Sequence, residues 1–295
     1  MRVTVTGSSG LIGSALVQSL REDGHEVVRL VRQAPSRPDE AQWSPADGCV
    51  DKGALEGADA VVHLAGAGVG DRPWTKAYKR KVYDSRVAGT RTLCEAIAAA
   101  DPRPRVLVCG SAIGYYGDTG GREVDEKSPA GQGFLAALVR DWEAAARPAG
   151  EAGVRVVHPR TGVVLSREGG ILGRTLPLFR LGLGGRLGDG AQWTSWISLH
   201  DQVAALRFLL DHETAGPVNL TAPNPVTNDA YTKALGRVLH RPARLAVPAF
   251  ALRAALRGFA DEGPLVSQRV LPHRLADAGF RFAHEDVESA LAAVL

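Results

Sequence analysis

Cysteine is scarce in this chain of 295 residues. Cys49, Cys94 and Cys109 lie far apart, are odd in number and show no CxxC spacing. That excludes a disulfide framework and fits a reducing compartment. Charge of one sign is also lacking: the net charge is +3, only six of the 35 basic residues are lysine, and the charges are mixed along the sequence. A concentrated basic stripe, which phosphate-backbone binding needs, is missing, so no nucleic-acid partner is expected. No uncharged run approaches the ~18 apolar residues of a membrane span. The longest notable one, Val106 to Gly117, is much shorter. The opening MRVTVTGSSG enters a strand pattern directly, without a charged-then-apolar leader. We expect a cytoplasmic protein with no membrane partner. The eight histidines include no HxH or HExxH pair, so no metal site is legible.

What remains is a globular composition, 45% apolar and 23% charged. At roughly 150 residues per domain the length suits one large domain or two smaller ones. Arg2 to Thr6 alternates and is β-branched, which predicts a strand. From Ile12, the positions Ile12, Ala15, Leu16, Ser19 and Leu20 share one helical face, and Gly24 is a natural stop. His25–Arg32, Ala60–Ala65, Val106–Gly110 and Val154–His158 are further strand candidates, and Thr75 to Ala100 is a long helix. Near-continuously apolar strands alternating with helices indicate a parallel sheet covered on both faces, with ligands beyond the C-terminal strand ends.

After about Ser166 the texture changes to glycine, leucine and arginine, then to the aromatic stretch Trp193 to Trp196. Ser198 and Asp201 resemble a capping box ahead of an apolar helix. The tail from Gly216 holds prolines, short helical patterns and seven arginines between Arg237 and Arg274. We expect a larger domain over 1–215, its 165–200 stretch contributing to the substrate side, and a small subdomain over 216–295. The arginines are expected on a solvated helix face.

Between the first strand and helix stands Gly7-Ser8-Ser9-Gly10-Leu11-Ile12-Gly13. Gly7 permits the turn, Gly10 lets backbone approach a pyrophosphate, and Gly13 lets helix and strand pack closely. The opening of the helix presents free N–H donors to the anion. Gly7, Ser9, Gly10, Leu11, Ile12 and Gly13 are therefore the candidate phosphate ligands. The second strand ends Val31-Arg32, without the acid that would bind an NAD ribose. Arg32 offers a guanidinium fork for a 2′-phosphate, with Arg37 as a less well-placed helper, so NADP is expected over NAD.

With Ala60-Val-Val-His-Leu-Ala65-Gly66 and Tyr83-Asp-Ser-Arg86-Val-Ala-Gly89-Thr90 added, the chain resembles the extended short-chain dehydrogenase/reductases, which include sugar-nucleotide epimerases and dehydratases. Ser111-Ala-Ile-Gly-Tyr115-Tyr116-Gly117-Asp118, Arg160-Thr161-Gly162-Val-Val-Leu165 and Leu176 to Gly185 with Trp196 and Asp201 narrow the likeness. They resemble the atypical "epimerase family protein" branch, with a C-terminal domain of unknown function from about residue 246. The resemblance spans essentially the whole chain. It implies a Rossmann-type doubly wound α/β sheet with a smaller C-terminal α/β subdomain, and a bound nicotinamide nucleotide. It implies cofactor contacts from Val31, Arg32, Leu64, Ala65, Gly66, Lys81, Arg86, Arg160 and Thr161. Lys81 departs from relatives that carry an acid there.

Hydride transfer at a carbinol needs a proton acceptor at the oxygen, and the superfamily uses the tyrosine of a YxxxK pair. None of the five tyrosines has a lysine four residues on. Where the pair belongs, the sequence has Phe134 and Leu138. Ser111, Tyr115 and Tyr116 are the remaining catalytic candidates, with Arg86 as a cation that could activate a tyrosine. Asp118, Arg140 and Glu143 are expected to be surface or helix-pairing charges, and His200 a capping-turn residue. Trp74, Trp193 and Trp196 are candidate pocket walls or core residues, and Gly182 to Gly190 a lid or a connecting loop. The expected function is an NADP-binding oxidoreductase or epimerase-like enzyme on an unidentified small molecule. The alternatives are a non-catalytic NADP-binding redox sensor or regulatory protein, and a sugar-nucleotide epimerase or dehydratase. A homodimer is possible by analogy with extended relatives.

Overall fold

The computed structural model describes residues 1–295. Nine strands form one sheet: β1 Arg2–Thr6, β2 Glu26–Val31, β3 Glu40–Ser44, β4 Cys49–Val50, β5 Ala60–His63, β6 Val106–Cys109, β7 Ser111–Ala112, β8 Arg155–Thr161 and β9 Gly216–Leu220. The order across it is β9-β8-β6-β5-β1-β2-β3-β4, with β7 paired to β8. All pairings are parallel except the β3–β4 ribbon. The winding reverses beside β1, where Thr6 stands in register with Leu30 on one side and His63 on the other. A crevice opens beyond the carboxyl ends at such a reversal, and every candidate motif leads into it. The expected doubly wound Rossmann-type sheet is the one observed.

The principal helices are α1 Leu11–Glu22, α2 Lys76–Ala99, α3 Phe134–Ala144, α4 Gly170–Arg180, α5 Leu199–Asp211, α6 Asn228–Val238, α7 Ala249–Leu256 and α8 Val287–Val294. Strand alternation separates the two faces. Val3, Val5, Val62, Val108, Val157 and Val218 pack under α1 and α5 through Leu16, Leu20, Leu206 and Leu209. Val61, Leu107 and Cys109 face the other way, onto Leu93 and Ile97 of α2 and onto Trp43. Burying each of these leucines contributes about 1.5–3 kcal/mol.

A separate core joins Leu165, Leu172, Phe179 and Trp196 to Tyr231, Leu235, Val287 and Leu291. The smaller unit thus draws on 165–196 as well as on the tail. Gly216–Leu220, expected to begin that unit, is instead the edge strand of the main sheet, in register with Val157 to Thr161.

Ser198 caps α5 by accepting the Asp201 N–H at 3.0 Å, as expected. The other half of a capping box is not formed. The Asp201 carboxylate, 1% exposed, instead accepts the backbone N–H groups of Ala283 and His284 at 2.9 and 3.0 Å, pinning the tail to the first turn of α5. His200 sits exposed in the first turn. Asp201→Ala strands two N–H donors, and at about 1.5–3 kcal/mol per bond to a charged acceptor it should lower unfolding stability by about 3–6 kcal/mol in urea titrations.

Candidate cofactor and active site

The phosphate loop is built from contacts too close for any Cβ. Gly7 has φ +69°, and a Cβ on it would lie 2.7 Å from the Leu64 carbonyl. A Cβ on Gly13 would lie 2.2 Å from the Gly7 oxygen. These approaches bring the first turn of α1 against the ends of β1 and β5. No side chain caps α1 at Gly10, so its first N–H groups stay available to an anion. Ser9 and Gly10 are exposed, while Leu11 and Ile12 are half-buried. The Thr6 hydroxyl orders the neighbouring loop: it bonds His63 Nδ1 at 2.7 Å and accepts the N–H groups of Leu64 and Ala65 at 3.1 and 3.2 Å.

Two arginines border this loop without a carboxylate. Arg32 follows half-buried Val31 at the end of β2 and is exposed, as is Arg37. Arg86 lies inside. A Cβ on Gly66 would stand 3.2 Å from its Cζ, it donates to the Ala67 and Val82 carbonyls at 2.8 and 3.3 Å, and it stacks on Trp142. Burial lowers Arg86 to about 10, leaving it charged at neutral pH.

Deeper in the crevice every charge is matched. Arg160, its side chain 3% exposed, makes a two-pronged contact with Glu143 at 2.8 Å on each prong. Ser111 Oγ donates to Glu143 Oε1 at 2.6 Å. Arg160 also donates to the Tyr116 hydroxyl at 3.0 Å, which donates to Asn219 of β9 at 2.7 Å. The guanidinium lies 3.4 Å from the centre of the Tyr115 ring, a cation–π stack.

Residues 3–221 match the NAD dependent epimerase/dehydratase family, and residues 247–294 match a domain of unknown function, DUF1731. The chain belongs to this family. It is 51% identical over 290 residues to an epimerase family protein of Mycobacterium bovis, covering 98% of this chain and 96% of that one. Among solved structures, the human epimerase family protein SDR39U1 with NADPH superposes with a TM-score of 0.92 at 35% identity, over 100% of this chain and 99% of that chain. A Thermus thermophilus UDP-glucose 4-epimerase in complex with NAD, at 21% identity and TM-score 0.75, covering 100% of this chain and 98% of that one, shares the fold.

A nicotinamide dinucleotide, which this family implies, fits the residues present. The glycine cradle leaves room only for backbone, the α1 terminus is uncapped, and Arg86 is a half-buried cation without a counter-charge. Gly7 to Gly13 would hold the pyrophosphate, Leu64 to Gly66 would line it, and Arg32 and Arg86 supply positive charge.

Some of the expected residues point away from the crevice or are committed to partners within the chain. Lys81 is exposed on α2, and the five residues to Arg86 are a rotation of about 140° on a helix. Arg160 is committed to Glu143 and Tyr116, and Thr161 accepts Gln202 Nε2 at 3.3 Å. Tyr116 is 3% exposed and pushed up to about 12 by burial, so its phenol keeps its proton at neutral pH. Its cationic neighbour is Arg160; Arg86 faces Trp142 instead. Of the two tyrosines, only Tyr115 is half-buried rather than buried.

Asp118 and Arg140 are surface charges, but Glu143, expected among them, is the hub of the buried network. Phe134 and Leu138 fill the place of the missing pair by packing with Trp74 and Phe259. Lys79, which motif reading passed over, holds its ammonium 4.5 and 4.7 Å from the Trp74 and Phe134 ring centres. Trp196 is core, Trp193 lies under Arg269, and Gly185–Leu187 within the supposed lid is anchored by pairing with Leu245–Val247.

Three outcomes follow from this geometry. Gly13→Ala forces α1 off the loop and should cost about 1–3 kcal/mol of stability, measured by thermal or urea unfolding. Glu143→Gln leaves the Arg160 guanidinium without its charge partner and should cost about 3–5 kcal/mol. His63 is fully buried beside Arg86 and is held down to about 4. An unfolded histidine titrates near 6.5, so below that pH unfolding takes up a proton the folded state refuses until pH 4. The stability is fully present above pH 6.5 and falls by about 1.4 kcal/mol per pH unit towards pH 4. His63→Gln should reduce the pH slope of unfolding by one proton, leaving the contributions of His158, also lowered by burial, and, towards pH 4, of carboxylates lowered by their partners, such as Asp39 and Glu40.

Proposed function

We infer that this protein is an NADP(H)-dependent oxidoreductase or epimerase-like enzyme that acts on a small molecule without the usual tyrosine–lysine pair. The observation that carries this reading is Arg86, a half-buried guanidinium beside Gly66 held only by carbonyls and an aromatic face. A cation so placed suits an anionic ligand, and the phosphate loop lies alongside. Arg32 at the end of β2, with no acid in that position, favours the cofactor carrying a 2′-phosphate. The NADPH in the human SDR39U1 structure supports the same choice. A bound nicotinamide supplies hydride transfer.

The chain's own groups govern the substrate oxygen. Ser111 spends its proton on Glu143, so its oxygen faces a ligand as an acceptor and suits a substrate hydroxyl better than a carbonyl. Arg160 fixes the Glu143 charge and so keeps Ser111 in that role. The Tyr115 hydroxyl is the nearer of the two tyrosines to solvent. The free, widely spaced cysteines suit a cytoplasmic setting.

Titration calorimetry with NADPH and NADH tests the cofactor assignment. Arg32→Ala should lower the NADPH-to-NADH preference about tenfold or more, as loss of charge-assisted bonds implies. Arg86→Ala should weaken both nucleotides alike. Absence of affinity for either reduced nucleotide overturns the reading. Ser111→Ala should retain NADPH binding and lose substrate-dependent NADPH oxidation in an absorbance screen. Tight binding with no turnover on any small molecule would shift the reading to a regulatory NADP-binding protein.

A further inference from the structure

The exposed large apolar side chains of this protein all fall in two short segments. Ile171, Leu178, Leu181 and Leu183 come from α4 and the loop after it; Leu245, Val247 and Phe250 come from the start of the C-terminal region. Pairing of Gly185–Leu187 with Leu245–Val247 sets the segments side by side, and Gly182 lies against Pro242. Leu181 and Phe250 are 73% and 74% exposed, so they stand off the surface rather than lining a groove. Helix α7 buries none of its residues, and Arg253 is its single charge. A contiguous exposed apolar surface of this kind marks an interaction site.

Against it opens a cleft of about 690 Å³ that shares Leu245 with the apolar surface. Arg186, Lys233, Arg237, His240, Arg241 and Arg244 line it, with Asp229 as the sole carboxylate. Asp229 is shared by Lys233 at 2.6 Å and Arg186 at 4.0 Å, and Arg237 pairs with Glu288 outside the lining. Arg244 has no partner within the chain, and Arg241 donates only to backbone carbonyls, from Nε to Arg180 and from Nη1 to His240. Cations at the C-terminal end of α6 offset its dipole, which accounts for Arg237, His240 and Arg241. It does not account for Arg186 and Arg244, which come from other segments.

A second copy is a poor occupant, because a two-fold contact lays the same face on itself and sets arginine against arginine. An anionic bilayer fits both features at once: acyl chains take protruding leucine and phenylalanine, and lipid phosphates take arginine. We propose that this surface docks the protein peripherally on an anionic phospholipid membrane, with Leu181 and Phe250 entering the acyl boundary and Arg186, Arg241 and Arg244 meeting headgroup phosphates. No helix is long and apolar enough to cross a membrane, so the proposed contact is a surface one, and it departs from the expectation of no membrane partner drawn from the sequence. It is independent of the cofactor reading.

Sedimentation of the full chain with vesicles tests this. The protein should pellet with equal parts phosphatidylcholine and phosphatidylglycerol and stay in solution with phosphatidylcholine alone. Arg244→Ser should lower the partition coefficient about five-fold, the factor equivalent to about 1 kcal/mol per basic residue near such a surface. Leu181→Ser combined with Phe250→Ser should abolish pelleting at an unchanged melting temperature. Failure to pellet with phosphatidylglycerol, equal pelleting with both vesicles, or indifference to these variants overturns the proposal. So does a concentration-dependent dimer that Phe250→Ser dissociates in the absence of vesicle binding, which would mark a self-contact. Binding of inorganic phosphate that requires Arg244, without vesicle recruitment, would equally replace the membrane by a soluble anion.

Discussion

Glu143 holds the interior of the candidate site together. One carboxylate takes both prongs of Arg160 and the proton of Ser111, joining α3 to β8 and β7. Arg160 extends the chain through Tyr116 to Asn219 on β9, and Asn219 in turn donates to the Leu271 carbonyl. A buried ion pair adds little over apolar packing, yet losing half of it is expensive. The constraint it imposes is therefore geometric: the ends of three strands and the turn bearing both tyrosines must keep their spacing for every lone pair to be met. The orientations of Ser111 and Tyr116, both catalytic candidates, are set by this arrangement.

Charge is distributed unequally around the crevice. On the substrate side Arg160 is neutralised by Glu143; on the cofactor side Arg86 and Arg32 have no acid. Carbonyls and the Trp142 face make the Arg86 cation tolerable, at a pKa pulled down to about 10. The site thus presents its positive potential where phosphates would lie and none where a neutral substrate would react. The missing tyrosine–lysine pair belongs to the same pattern. Leu138 is 2% exposed among Trp74, Tyr78 and Val82, so a lysine there would be an ammonium in an apolar cluster with no carboxylate to meet it.

What the sequence makes legible is what neighbouring residues decide. The strand Arg2–Thr6, the glycine loop and the apolar face of α1 are local patterns, and the observed strand has the predicted bounds. Glu40–Ser44 escapes because its sequence, EAQWS, alternates weakly and owes its strand form to pairing with β2. Gly216–Leu220 looks like the start of a new unit because its partner, β8, lies far back along the chain. Glu143 looks like a surface charge for the same reason: its partners are 17 and 32 residues away, and no helical period announces them. Lys81 shows the converse: motif position places it among cofactor contacts, while helical rotation sets it exposed on α2, about 140° from Arg86. The arginine cleft and the apolar tips are likewise invisible until Gly185–Leu187 meets Leu245–Val247.

The C-terminal region is structural to the site rather than a cover laid over it. Glu262 accepts the Leu135 N–H at 2.7 Å and so caps the helix that carries Glu143. Gln268 donates to the Ile113 and Gly117 carbonyls at 3.0 and 3.1 Å, fixing the turn that carries Tyr115 and Tyr116 from both ends. These bonds are buried or partly so, and breaking them would expose or orphan polar groups. The phosphate-loop mouth is held differently. There Arg174 reaches Gly70 and Asp71 across the front of the loop, and both partners of that ion pair are more than half exposed. An exposed pair contributes about 0–1 kcal/mol. The end of the crevice that carries Ser111 and the tyrosines is therefore held by buried and partly buried bonds from the tail, whereas the Arg174–Asp71 contact is an exposed pair that adds little.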